Sequence, residues 1–64
     1  MHKVCAVIVD RNNGVATTVS TQCEGGFLAM GAALDEYKKM FQMTDTQIFA
    51  ANLEVLMITA MKVS

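Results

Sequence analysis

Two runs rich in β-branched residues, 3–10 (KVCAVIVD) and 15–22 (VATTVSTQ), flank the tetrapeptide Arg11-Asn12-Asn13-Gly14. No other feature constrains the chain as much. Asn and Gly enter the left-handed backbone region at low cost, so Asn-Gly between two such runs predicts a β-hairpin. Two loops fit. A two-residue type I′ loop at Asn13-Gly14 puts Val4, Ala6 and Ile8 on one face with Val15, Val19 and Cys23. A three-residue loop over 12–14, with Gly14 in a bulge, instead joins Cys5, Val7 and Val9 to Val15, Thr17 and Val19. A slip of one residue exchanges the faces, and both registers stay open at this level. In either, the first strand is apolar on both sides while the second carries Thr and Ser on one. That asymmetry places the first strand mid-sheet and the second at an edge.

After the Glu24-Gly25-Gly26 corner, Phe27, Met30, Leu34, Tyr37 and Phe41 recur at helical spacing, which predicts an amphipathic helix over 27–43. Asp35 and Lys39 form an i,i+4 pair in the favourable order. Thr44-Asp45-Thr46-Gln47 reads as a capping box that starts a second helix at Asp45. Continued to Lys62, that helix would mix Met57, Ile58 and Met61 with Gln47 and Glu54 on one side. Read with period two, Leu53, Val55, Met57, Thr59, Met61 and Val63 alternate with Glu54, Leu56, Ile58, Ala60 and Lys62. The expectation is therefore a short helix over 45–51 and a strand over 53–63, with a long C-terminal helix (ββαα) as the alternative. The fold class is α+β, one domain over 1–64, in the order ββααβ with sheet order 2-1-3. Helices on one sheet face would leave an apolar stripe on the other.

Composition decides what such a fold needs. The 64 residues are 53% hydrophobic and 17% charged, without proline, which is far from the profile of a disordered chain. A domain this small buries only about 60% of its unfolded surface, so small proteins recruit disulfides, a metal or a partner subunit. Here the apolar excess points to the partner, and homo-oligomerisation is expected. Met40, Phe41 and Met43 at the helix end, with Tyr37, are the candidate contact surface, because Met and Tyr suit adaptable interfaces. Met30 and Met57 are expected to fill the core.

The same residues argue against other classes. Net charge is −1, and of the five basic residues only Lys38 and Lys39 adjoin, so no basic stripe exists for a nucleic acid. Cys5, Cys23 and the single His2 do not make a metal-binding spacing, and no metal or other cofactor is expected. Asp10 and Arg11 read as a solubilising strand end. Asp35 and Glu36 diverge on a helix, His2 has no partner nucleophile, and Ser20 stands in no triad, so the chain is not expected to be an enzyme. No leader and no membrane span are visible, which suggests a soluble cytoplasmic protein with reduced thiols.

The expected function is that of a small homo-oligomeric protein that binds a protein partner as an inhibitor or adaptor. Short chains of this kind are common among phage and mobile-element accessory proteins, a background expectation these residues do not themselves carry. The alternative is an oligomer that sequesters a small anionic ligand or nucleotide on the backbone N–H groups of Gly25-Gly26. Against it, the glycines suffice to turn the chain, no lysine follows, and Glu24 would repel a phosphate. An enzyme whose site is completed across an interface is the third and weakest reading.

Overall fold

The computed structural model describes residues 1–63. The order is β1 (His2–Asp10), β2 (Val15–Cys23), a 3-10 turn (Gly26–Leu28), α1 (Ala29–Met40), α2 (Asp45–Ala50) and β3 (Leu53–Lys62). The three strands are antiparallel in the order β2-β1-β3, so the expected ββααβ layout with β1 in the middle is the one found, and the long C-terminal helix is not.

The hairpin loop is neither of the two expected. Asp10 pairs with Val15, leaving residues 11–14 as a four-residue loop. Side chains decide this. Asp10 Oδ1 accepts from the Asn12 N–H and Asn13 Oδ1 from the Val15 N–H, each at 2.9 Å. Within this loop Gly14 alone takes positive φ, at 73°, where a type I′ loop needs it at both central residues. Asp10 is thus a turn builder and not merely a polar strand end. The register lengthens by two residues relative to the type I′ alternative, and two residues restore the same faces. Val4, Ala6 and Ile8 lie with Val19 under the helix, while Cys5, Val7 and Val9 lie on the opposite face.

The helix seats differently from its expected face. The buried positions of α1 are Ala29, Ala33 and Tyr37, while Met30 and Phe41 are exposed and Leu34 packs at the margin. Small side chains let the helix backbone approach the sheet closely, and the larger apolar ones flank the contact. The core is correspondingly slight: Val4, Ala6, Ile8, Val19, Ala29, Ala33 and Tyr37.

At its C-terminus α1 closes with two reversed bonds. The Gln42 N–H donates to Lys39 O at 3.3 Å and the Met43 N–H to Lys38 O at 2.9 Å. This is the Schellman arrangement, with Gln42 in the left-handed position at φ 53° where glycine is usual. Gln42→Gly is therefore expected to stabilise the fold by about 0.5–1 kcal/mol, once glycine's own entropy is subtracted. In a domain of this size that raises the melting midpoint by roughly 2–8 °C, read by circular dichroism.

The capping box is present as expected. The Gln47 N–H donates to Thr44 Oγ1 at 3.1 Å, and the Thr44 N–H donates to Gln47 Oε1 at 2.8 Å. Lys38 pairs with Asp45, which ties the end of α1 to the start of α2. That hydrogen bond is the main reason the Lys38 ammonium titrates above its ordinary range. Asp35 and Lys39 pair at 3.4 Å.

β3 departs from simple alternation. Val7 pairs with Met57 and Ile8 with Val55, so Leu56 is left without an opposite residue. The irregularity shifts the phase by one, as a β-bulge does. Leu53, Val55 and Ile58 consequently all pack against the core. Glu54, Met57, Thr59 and Met61 share the opposite face with Lys3, Cys5, Val7 and Val9. A strict period of two puts Met57 with Leu53 and Val55, and the irregularity moves it to the other face.

Candidate functional site

One face of the sheet carries the helices and the other carries nothing. Among the described residues, no element packs on the second face. Its centre is the odd-numbered side of β1: Lys3, Cys5, Val7 and Val9. On the β2 side lie Ala16, Thr18, Ser20 and Gln22, and on the β3 side Glu54, Met57, Thr59 and Met61. The face is thus graded across the strands, polar and uncharged along β2, aliphatic along β1, and methionine-rich along β3. Cys5 Sγ lies 3.9 Å from Ser20 Oγ, and Thr59 Oγ1 donates to Cys5 O at 3.4 Å. Charge is confined to the ends: Lys3 at one, and at the other Glu54, which is paired with Arg11.

A second exposed apolar group lies around the helices. Phe27 is 89% exposed and Phe49 93%, and Leu28, Met30, Met40 and Phe41 are each about half exposed. An exposed phenylalanine removes little apolar area from water and so contributes little to the fold. Met40 and Phe41 are therefore placed where a partner could reach them. Tyr37 is not, being only 5% exposed in the core, with its ring 4.6 Å from that of Phe41. Burial, reinforced by the Asp10 carboxylate, pushes the Tyr37 phenol above its ordinary range. Met43 is half-buried against the core, whereas Met30 and Met57, expected inside, are exposed. Helical spacing puts Phe27 on the inner face and says nothing of Phe49, whereas both are exposed. Nothing in a six-residue helix such as α2 has enough periodicity to reveal which way Phe49 points.

The Gly25-Gly26 corner has the geometry of a chain reversal. Gly25 is extended (φ −144°, ψ 151°), and its carbonyl accepts from the Leu28 N–H at 3.0 Å and from Cys23 Sγ at 3.1 Å. A Cβ on Gly25 would come within 2.8 Å of the Phe27 ring, and one on Gly26 within 4.0 Å of the His2 ring. The close approaches are to side chains of this chain. Both cysteines are free.

Among the described residues there is no pocket, no group of three or more His, Cys, Asp or Glu side chains placed to hold a metal ion, and no helix long and apolar enough to cross a membrane. Comparison with protein-family models, with curated proteins and with solved structures finds no match for this chain.

Proposed function

We propose that this chain is a small, non-enzymatic, self-associating protein that acts by occupying the surface of a protein partner, as an inhibitor or adaptor. The observation that carries the reading is the exposure of Phe27 and Phe49, 89% and 93%, on a domain whose own core has seven residues. Phe side chains this exposed cost solubility and contribute little packing, and a partner that covers them accounts for their place on the surface. Met40 and Phe41, also exposed, extend the apolar surface with an adaptable and an aromatic side chain. The partner's matching surface is expected to be a hydrophobic groove, since aromatic anchors dominate binding when seated in desolvated pockets.

The test pairs a stability measurement with a binding one. Phe27→Ser with Phe49→Ser should leave the melting midpoint nearly unchanged, because exposed substitutions usually stay within about 0.5 kcal/mol. The wild-type chain used as bait in lysate of its source cells should retain one protein in stoichiometric amount, and the double variant should lose it. Retention of that protein by the double variant would exclude these aromatics as the contact. A bait that retains nothing reproducibly would count against the reading itself.

A further inference from the structure

We infer that the uncovered sheet face is the dimer interface, closed by the same face of a second copy with the strands of the two sheets running in opposite directions. This rests on the self-association proposed above and adds where it occurs and in which orientation. The geometry of the face argues both points.

Three strands of about nine residues, at ~3.3 Å per residue and ~4.8 Å apart, make a face of roughly 30 Å by 14 Å. Two such faces pressed together remove on the order of 1,000 Å² in total, just short of the ~1,200 Å² at which standard stable interfaces begin. A reversible dimer that dissociates on dilution is what such an area supports. Face-to-face packing of two sheets is also a common solution for strands that alternate core-facing and outward-facing residues.

Why a second copy fits follows from the grading across the strands. A two-fold axis lying between the sheets and perpendicular to the strands sets each strand over its own counterpart. The Thr18, Ser20 and Gln22 band then meets itself, as do Val7 and Val9 of β1 and Met57 and Met61 of β3. The same axis brings Lys3 of each copy over the end that carries Glu54 in the other. Lys3 has no carboxylate within salt-bridge range among the described residues, and the Glu54 side chain is still 47% exposed beside Arg11. An axis along the strands does the reverse. It stacks Lys3 on Lys3 and lays the methionines of β3 over the Thr/Ser/Gln band of β2. Like charges face to face and apolar groups against polar ones both oppose association, so the strand-reversing dimer wins.

Cys5 is a built-in reporter, since it is exposed near the middle of the face while Cys23 lies at the corner beside Gly25. The chain is alkylated with iodoacetamide at low and at high micromolar concentration, each thiol is followed by peptide mass, and light scattering gives the particle mass. The proposal expects twice the 6.9 kDa chain mass at high concentration, with Cys5 alkylated severalfold more slowly and Cys23 unchanged. Val7→Lys should give a single-chain particle with Cys5 reactive at every concentration. Met57→Lys should do the same, and because Met57 is exposed in the single chain its substitution spares the fold. A dimer in which Cys5 reacts as fast as in the dilute chain would overturn this interface and leave self-association standing. A single-chain particle at all concentrations would overturn both.

Discussion

Ala33→Leu is expected to lower the melting midpoint by roughly 4–24 °C, one of the two largest effects argued for this chain. Ala33 is fully buried, 0% exposed, and with Ala29 it forms the contact through which α1 rests on the sheet. A leucine there must either lift the helix from Val4, Ala6, Ile8 and Val19 or adopt a strained rotamer. Overpacking of this kind costs roughly 1–3 kcal/mol in a well-packed core. A 64-residue domain has on the order of 3–10 kcal/mol to lose. Substitution at exposed Met30, three residues away on the same helix, should be nearly silent. The measurement is thermal unfolding by circular dichroism of both variants. Equal effects at the two positions would show that the helix does not rest on its alanines.

This helix also shows where a sequence stops being legible. Period and spacing find α1 because they are properties of the chain alone, but they weight large apolar residues. The contact uses small ones, because what matters is how closely two backbones approach. Met30 and Phe41 therefore read as inward-facing and Ala29 and Ala33 did not register. The hairpin and the capping box were legible for the opposite reason. Both are decided within a few residues, by Asn-Gly between β-branched runs and by Thr44 with Gln47.

Loop length and strand phase lie between these cases. The four-residue loop depends on hydrogen bonds that the Asp10 and Asn13 side-chain oxygens accept from the backbone N–H two residues on, a signal local enough to be legible in the sequence. The irregularity at Leu56 could not. Val55-Leu56-Met57 carries no glycine or other mark, and only the need to turn Val55 and Ile58 to the same face explains it. The candidate surfaces were half legible. A two-faced central strand implied an open sheet face, yet which face lay open followed from the loop, and the exposure of Phe27 and Phe49 from tertiary packing alone.

The central claim is that this fold is completed by association, and the second large effect follows from it. Seven buried residues, three of them Ala, make a slight core for a chain that exposes 4361 Å² of surface, against about 4,000 Å² for a compact monomer of its mass. If the native form is a dimer, a second copy binds the folded chain and not the unfolded one, so stability must rise with concentration. Above the dissociation constant, a hundredfold increase contributes about 2.7 kcal/mol per dimer, or about 1.4 kcal/mol per chain. For a domain of this length that is a shift of roughly 5–10 °C. The measurement is the reversible melting midpoint of the wild-type chain from low to high micromolar concentration, beside Met57→Lys. The account predicts a midpoint that climbs with concentration for the wild type and stays flat for the variant. A wild-type midpoint independent of concentration across that range would contradict it.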